Sequence, residues 1–361
     1  MDREQATRAF LRGQCARYTN LQPQDLLKAL HQSVFGCGHF VTDEAHGVAF
    51  LREEMQAARS APGPAVEVLD GDYCRIHLAW AKARGFTPET LFRIFAVSAQ
   101  VVTGTEEDLR AILEEKLAVL LEMAQEGELP FACEEMQAAV DAWKEAGYPL
   151  CRHSEEVRHT WAPAYRVIHI DYLRILHLLA DIDRRRAKKN PLVVALEGGS
   201  ASGKTTLAAL LEKLYDCTVF HMDDFFLRPE QRTEERLAAP GGNIDYERFA
   251  AEVLEPMKRG QTVLYRRFDC STRTVLPAVE ISPKELIFVE GAYSMHPVFG
   301  DYYDLAVFLD VTTEVQCARI ERRNTPEMQE RFFNEWIPME QAYFAFADPK
   351  GRCQQVLEVR E

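Results

Sequence analysis

The feature that most constrains the fold is a glycine-rich segment that follows a short buried apolar run and precedes a helical stretch. The segment reads Gly198, Gly199, Ser200, Ala201, Ser202, Gly203, Lys204, Thr205 and Thr206. Its glycines allow backbone N–H groups to converge on a phosphate, and the helix N-terminus adds partial positive charge. The pattern predicts that Lys204 neutralises the outer phosphates and that the Thr205 hydroxyl binds Mg²⁺. We therefore expect a nucleoside triphosphate to bind here.

The composition changes near residue 190 and predicts two domains. Before this point apolar residues recur at helical spacing, which predicts an all-helical domain over 1–187. Its predicted helices include 44–60, 73–84, 88–101, 133–146 and 165–186. After it, short apolar runs alternate with helices, which predicts a doubly wound α/β domain with a parallel sheet over 188–361. Its predicted strands are Leu192–Leu196, Cys217–Phe220, Leu286–Val289 and Leu305–Leu309.

The charge and the cysteines restrict the partners and the compartment. The net charge is −14, and each half contributes −7 from 21 basic and 28 acidic residues. Such a surface repels a polyanion, so we do not expect nucleic acid as partner, and we interpret Arg184–Lys189 as a helix end and linker. No apolar run approaches the ~20 residues of a membrane span, and the charged start lacks a signal-peptide core. Nine cysteines without a CxxC pair predict free thiols in a reducing cytoplasm. The oligomeric state stays open.

Two further strand ends narrow the class of nucleotide-binding protein. The guanine-reading NKxD motif of GTPases is absent, and Glu290 is a single acid followed by Gly291, unlike the consecutive acids of motor ATPases. The second predicted strand leads into Asp223 and Asp224, at the sheet edge where ligands bind. An aspartate there can accept the proton of a hydroxyl that attacks the γ-phosphate, although the pair could also cap the following segment. These features favour a small-molecule kinase.

The motifs resemble a known family of kinases. The uridine kinase and nicotinamide riboside kinase branch of P-loop kinases has motifs similar to Gly198–Thr206, Met222–Phe226 and Val289–Gly291. Phosphoribulokinases have the same phosphate loop. Asn243–Phe249 resembles the family stretch whose aspartate binds ribose hydroxyls. The segment Tyr265–Asp269 with Arg273 resembles a substrate-side segment in altered order. The resemblance covers about 190–325, extends more loosely over the rest of the chain to 361, and includes none of the helical half.

The resemblance implies ATP-dependent phosphorylation of a hydroxyl on a small metabolite, a nucleoside or other ribosyl compound, with ATP and Mg²⁺. It implies that Asp223 is the general base and that Glu290 is a magnesium ligand. The implied substrate contacts are Asp224, Asp245, Asp269 and Arg273. The family's general base aligns with Asp223, so Asp224 is the weaker candidate for that role. Arg319 and Arg323, together with Arg322, would stabilise the transferring phosphoryl group. Asp245 could instead cap a helix, or could both cap it and contact the substrate, and the arginines could form a solvated helix face.

The helical half leaves several interpretations open. His39, Asp43 and His46 would share one face of a helix, which suits either a metal site or an ordinary polar face. The kinase half could also act as a nucleotide-controlled switch whose helical half binds a protein or RNA. Alternatively, the helical half could be a second catalytic domain.

Overall fold

The computed structural model describes residues 2–37, 43–59, 64–101 and 104–360. The chain forms two compact units, Met1–Arg184 and Arg185–Glu361, whereas the sequence placed the boundary after Ala187. Within the described ranges, no helix combines the length and the apolar character that crossing a membrane requires.

The N-terminal unit is mainly helical, as predicted. Its elements are α1 (Arg3–Arg17), α2 (Pro23–Phe35), α3 (Glu44–Ala57), β1 (Val66–Val68), β2 (Tyr73–His77), α4 (Leu78–Arg84), α5 (Pro88–Ser98), α6 (Glu106–Gln125), α7 (Cys133–Glu145), α8 (Glu155–Trp161), β3 (Tyr165–His169) and α9 (Leu176–Arg186). Leu11, Leu26, Leu117 and Val140 belong to one core in which the apolar faces of α1, α2, α6 and α7 meet. Thr105 begins α6 with a capping box to Asp108, which explains the sharp start of that helix.

A small antiparallel sheet corrects the prediction that this unit is helical throughout. The strands pair in the order β1-β2-β3. The helices predicted over 73–84 and 165–186 are wrong in their first five residues, which are β2 and β3. All five residues of β2 are buried. A strand that is buried on both faces shows no alternation, so its apolar pattern cannot be distinguished from that of a helix.

The C-terminal unit contains the predicted parallel sheet with flanking helices. Its elements are β4 (Leu192–Glu197), α10 (Lys204–Leu214), β5 (Thr218–His221), α11 (Glu234–Ala238), α12 (Tyr246–Phe249), α13 (Glu255–Lys258), β6 (Val263–Tyr265), β7 (Phe268–Asp269), β8 (Thr274–Val275), β9 (Val279–Ile281), β10 (Leu286–Glu290), β11 (Leu305–Val311), α14 (Thr313–Arg323), α15 (Pro326–Arg331), α16 (Ile337–Ala347), α17 (Pro349–Arg352) and β12 (Gln355–Val359). Five strands pair in the order β12-β11-β4-β10-β5, all parallel. The predicted fold class is confirmed for this unit.

The register of the sheet determines which residues meet at its carboxyl edge. Glu290 at the end of β10 pairs with Leu196 of β4 on one side and with His221 of β5 on the other. The glycine-rich loop after β4 and the aspartates after β5 therefore lie on either side of Glu290.

Candidate active site

The glycine-rich segment forms the loop between β4 and α10. Gly198 has a φ of +149°, and a Cβ at this position would lie 2.7 Å from the carbonyl oxygen of Leu309. Gly203 caps α10 in the left-handed region, with a φ of +97°. Both positions therefore require glycine. The Lys204 ammonium is buried beneath the loop and donates a hydrogen bond to the Gly199 carbonyl oxygen at 2.9 Å.

Helix α14 supports this loop from one side. The Gln316 amide donates to the carbonyl oxygen of Ser200 at 2.8 Å, and Arg319 donates to that of Ala201 at 3.1 Å. Arg322 and Arg323 are exposed near the end of the same helix. The structure thus brings Arg319 to the loop and leaves the other two predicted lid arginines on the surface. The sequence analysis missed Gln316.

A second residue that the sequence analysis missed is Glu340 on α16. Its carboxylate accepts hydrogen bonds from the Ser200 backbone N–H at 2.9 Å and from the Ser200 hydroxyl at 2.5 Å. Burial raises the pKa of Glu340, and the bonds from Ser200 and the charge of Lys204 oppose that rise. A carboxylate thus occupies one N–H group of a loop whose geometry suits anions. No local signal pointed to Glu340, because it lies 140 residues from Ser200.

The residues predicted to hold Mg²⁺ lie together. The Thr205 hydroxyl donates to Glu290 Oε1 at 3.2 Å, and Glu290 is almost completely buried. Hydroxyl and carboxylate oxygens are hard ligands, and Mg²⁺ in phosphoryl-transfer sites takes few ligands from protein and the rest from phosphate and water. Thr205 and Glu290 therefore fit this ion. His221 Nδ1 lies 2.5 Å from the same Oε1, and this hydrogen bond raises the pKa of His221 against the effect of burial.

The two aspartates after β5 have different environments. Asp223 is open to solvent and has no hydrogen-bond partner among the described residues. Desolvation by the surrounding protein raises the pKa of the Asp223 carboxyl, the charge of Lys204 opposes that rise, and the charge of Glu290 adds to it. The Asp224 carboxylate instead accepts a hydrogen bond from the Tyr265 hydroxyl at 2.6 Å. Only Asp223 lines the adjacent cavity.

That cavity has a volume of about 610 Å³, within the range of small-molecule sites. Ser200, Asp223 and Glu340 lie on its wall together with Arg232, Arg273 and Arg331. Its apolar and aromatic lining consists of Phe226, Leu227, Phe268, Tyr293, Met328, Phe332, Trp336 and Met339. The cavity therefore joins an anion-binding loop to a space that suits a partly apolar molecule. The sequence analysis missed Arg331 and Trp336, whose guanidinium and ring lie 4.8 Å apart.

The structure does not bring all predicted substrate contacts to this cavity. Asp245 is buried and caps α12 by accepting the Arg248 N–H at 3.1 Å, so the predicted cap is present, and a contact of Asp245 with the substrate stays a prediction. Asp269 accepts bonds from Ser271 at 2.7 and 2.8 Å and shapes the loop before Arg273. Arg273 itself lines the cavity.

The start of the loop is held by Glu197, the last residue of β4. This buried carboxyl accepts hydrogen bonds of 2.9–3.1 Å from the backbone N–H groups of Gly198, Tyr293 and Met295 and from the Tyr343 hydroxyl. Burial raises the pKa of Glu197 to about 7, and these donors oppose the rise. Glu197 thus connects the loop to the segment after β10 and to α16.

The predicted metal-binding face of the N-terminal unit has another explanation where it is described. His39 lies outside the described residues. Asp43 begins α3 by accepting the His46 N–H at 3.1 Å, which is the ordinary role of an N-cap. No group of three or more His, Cys, Asp or Glu side chains suited to a metal ion occurs in the described parts of either unit.

Comparison with known proteins identifies the relatives of the C-terminal unit. Residues 193–333 match the model of the Phosphoribulokinase / Uridine kinase family. The chain is 30% identical over 185 residues to the uridine kinase of Chloroflexus aggregans, covering 46% of this chain and 86% of that protein. It is 29% identical over 148 residues to uridine kinase-like protein 3 of Arabidopsis thaliana, covering 38% of this chain and 31% of that protein. The chain thus spans about a third of the length of the Arabidopsis relatives.

Among solved structures, the chain resembles that of a possible uridine kinase from Bacillus stearothermophilus. The two are 23% identical, with a TM-score of 0.37 and coverage of 50% of this chain and 98% of that one. The family match begins at residue 193, after the N-terminal unit has ended. Through its C-terminal unit, the chain belongs to the phosphoribulokinase/uridine kinase family.

Proposed function

We propose that this protein is a kinase that transfers the γ-phosphoryl group of ATP to a hydroxyl of a small metabolite. The observation that carries the proposal is the Asp223 carboxylate, which has no hydrogen-bond partner among the described residues. It lies on the wall of a cavity that also includes Ser200 of the glycine-rich loop. A hydroxyl bound in this cavity would find a proton acceptor and a phosphate-binding loop on the same wall.

Each of the named residues has a separate role in the proposed transfer of the phosphoryl group. Asp223 accepts the hydroxyl proton as the oxygen attacks phosphorus, and its raised pKa makes it a better base near neutral pH. Lys204 and Arg319 stabilise the charge of the transferring group, and the loop N–H groups orient the phosphates. Thr205 and Glu290 hold Mg²⁺, which when bound neutralises charge on the triphosphate.

The proposed acceptor is a nucleoside or another ribosyl compound. The relative from Chloroflexus aggregans is a uridine kinase, and the aromatic lining of the cavity suits a planar base. Arg273 contributes a cation on the same wall. Asp245 does not line the cavity, so its contact with the ribose hydroxyls stays a prediction of the resemblance.

The test measures ADP release from Mg·ATP with uridine, cytidine, pantothenate and glycerate as separate acceptors. We expect a nucleoside to stimulate release, and Asp223→Asn to reduce turnover by about 10²–10⁴-fold. Lys204→Ala should reduce turnover to a similar extent. Asp301→Asn is the matched control, because the Asp301 side chain is 92% exposed in the same unit. Full turnover in Asp223→Asn would refute the assignment. ADP release that no acceptor stimulates would favour a nucleotide-controlled switch.

A further inference from the structure

The N-terminal unit contains a cavity that the proposed kinase reaction does not use. It has a volume of about 390 Å³, comparable to that of small-molecule sites, and is lined by parts of α2, α3, α5 and β3. Its lining includes the polar side chains of Lys28, His153 and Tyr165. It also includes Phe50, Phe92 and other apolar side chains.

Among the described residues of the lining, Lys28 is a cation without a carboxylate partner. Lys28 is half-buried, and its ammonium donates to the carbonyl oxygen of Cys151 at 2.8 Å. No carboxylate among the described residues lies within ion-pair distance of it, whereas Arg166 on the same wall is paired with Glu54. Burial, together with the charge of Arg75, lowers the pKa of Lys28. A bound anion would oppose this lowering of the pKa, because its negative charge favours the ammonium form of Lys28.

Tyr165 in this lining is held by a chain of partly buried hydrogen bonds. His153 Nδ1 lies 3.0 Å from Asp25 Oδ1, and His153 Nε2 lies 2.6 Å from the Tyr165 hydroxyl oxygen. Burial opposes ionisation of Asp25, but the bonds from His153 and Ser154 outweigh it and lower the pKa of Asp25. The ionised carboxylate of Asp25 accepts a hydrogen bond from the protonated Nδ1 of His153. The unprotonated Nε2 therefore accepts a hydrogen bond from the Tyr165 hydroxyl. These polar side chains are therefore fixed in orientation before any ligand binds.

Some of the apolar side chains that line the cavity are exposed to solvent. Phe92 and Phe95 of α5 are buried at the cavity, but Phe50 is 55% exposed and Leu150 is 46% exposed at its wall. Burying such side chains against a ligand contributes about 25 cal/mol per Å² of apolar surface. An inorganic anion would satisfy Lys28 and leave this surface in water. The complementary ligand carries its charge on an apolar body.

We propose that this cavity binds a small organic anion, a carboxylate carried on an aromatic or similarly apolar body. The carboxylate contacts the Lys28 ammonium, and the body packs against Phe50, Phe92 and Phe95. Every described residue that lines this site belongs to the N-terminal unit.

The test compares two probes of the same shape that differ in charge, 2-naphthoate and 2-naphthamide, by calorimetric titration of the full chain at neutral pH. A charge-assisted contact predicts that the carboxylate binds about tenfold more tightly than the amide. Lys28→Gln should abolish this preference. Lys82→Gln is the matched control and should keep it, because Lys82 also donates to a backbone carbonyl, that of Gln56 at 3.1 Å, but lies outside the cavity.

A second variant covers the case in which Lys28→Gln fails to fold. Phe50→Asp changes an exposed side chain at the cavity, so the fold should persist and binding of 2-naphthoate should weaken more than that of 2-naphthamide. Two results would overturn the proposal: no binding of 2-naphthoate up to about 10 mM, or an unchanged preference for the carboxylate in folded Lys28→Gln.

Discussion

Among the described residues, each unit of the molecule contains one histidine whose Nδ1 lies against a buried carboxylate. In the N-terminal unit His153 lies 3.0 Å from Asp25, and in the C-terminal unit His221 lies 2.5 Å from Glu290. The two pairs are alike in chemistry, but the pKa of His153 is lowered and that of His221 is raised.

The surroundings explain the opposite directions. Burial is the largest influence on His153, and the cations Arg75 and Lys28 add to it, so the imidazole stays neutral. For His221 the bond to Glu290 is the largest influence, and Asp224 adds further negative charge. A histidine–carboxylate pair therefore predicts no protonation state by itself. The N-terminal pair fixes the directions of the hydrogen bonds around a neutral imidazole. In the C-terminal pair, the proposed magnesium ligand Glu290 favours the protonated form of His221.

The largest effect that distinguishes the pairs should come from Asp25→Asn. Asp25 accepts hydrogen bonds from the Ser154 N–H and hydroxyl, the Gln22 N–H and His153. The NH₂ group of an asparagine at this position cannot accept hydrogen bonds, so it faces N–H and O–H donors without satisfying them. We therefore expect the free energy of unfolding to fall by about 2–4 kcal/mol. Urea unfolding followed by circular dichroism measures this loss. Asp141→Asn, which removes one exposed acceptor on α7, is the control and should change little. Equal stability of Asp25→Asn and Asp141→Asn would contradict a structural role for the N-terminal pair.

The corresponding change in the other pair, Glu290→Gln, should affect magnesium use more than stability. Loss of one carboxylate ligand should raise the Mg²⁺ concentration needed for half-maximal turnover by about 10–100-fold. Titration of ADP release with Mg²⁺ at saturating ATP measures it. Glu285→Gln, an exposed residue just before the same strand, should behave as wild type. An unchanged magnesium requirement in Glu290→Gln would remove Glu290 from the proposed site.

The protonation states can be compared directly by titration of ring resonances in ¹³C-histidine-labelled protein, assigned with His153→Gln and His221→Gln. We expect His153 to protonate only below the usual pKa of about 6.5, and His221 to keep its proton above it. The contribution of His221 to stability is then full below about pH 6.5 and is lost as the pH rises through its folded pKa. His153 acts in the opposite sense, since stability falls as the pH drops below about 6.5 and the unfolded chain takes up the proton. Coincident titrations would show that the surroundings do not separate the pairs.

The smallest expected effect concerns Glu340 at the loop. Its carboxylate lies on the Ser200 N–H, where it repels a triphosphate. Glu340→Gln should therefore lower the KM for ATP about fivefold, equivalent to roughly 1 kcal/mol of removed repulsion. Glu335→Gln, on the exposed surface before α16, should leave the KM unchanged. A higher KM in Glu340→Gln would mean that the carboxylate orders the loop for binding.

Much of the candidate site could be predicted because its residues follow strands of one parallel sheet. Asp223 and Glu290 come directly after or at the end of buried runs, and parallel strands bring such positions to one edge. Asp245 shows the limit of this reasoning. A polar residue before a helix has the same local pattern whether it caps the helix, binds a sugar or does both, and the structure shows the cap. Arg323 shows a similar limit, since a row of arginines on one helix does not reveal which of them contacts the loop. In the structure Arg319 makes that contact, and a role for Arg323 stays a prediction.

The sequence by itself determined the glycine-rich loop, because strand, turn and helix start depend on neighbouring residues and on backbone angles that only glycine adopts easily. It also determined the parallel sheet through continuous apolar runs. Only the tertiary structure decided that Glu340 reaches Ser200 over 140 residues and that Asp25 reaches His153 over 128. These contacts depend on packing between distant segments, and the direction of each pKa depends on the charges and burial that this packing brings together.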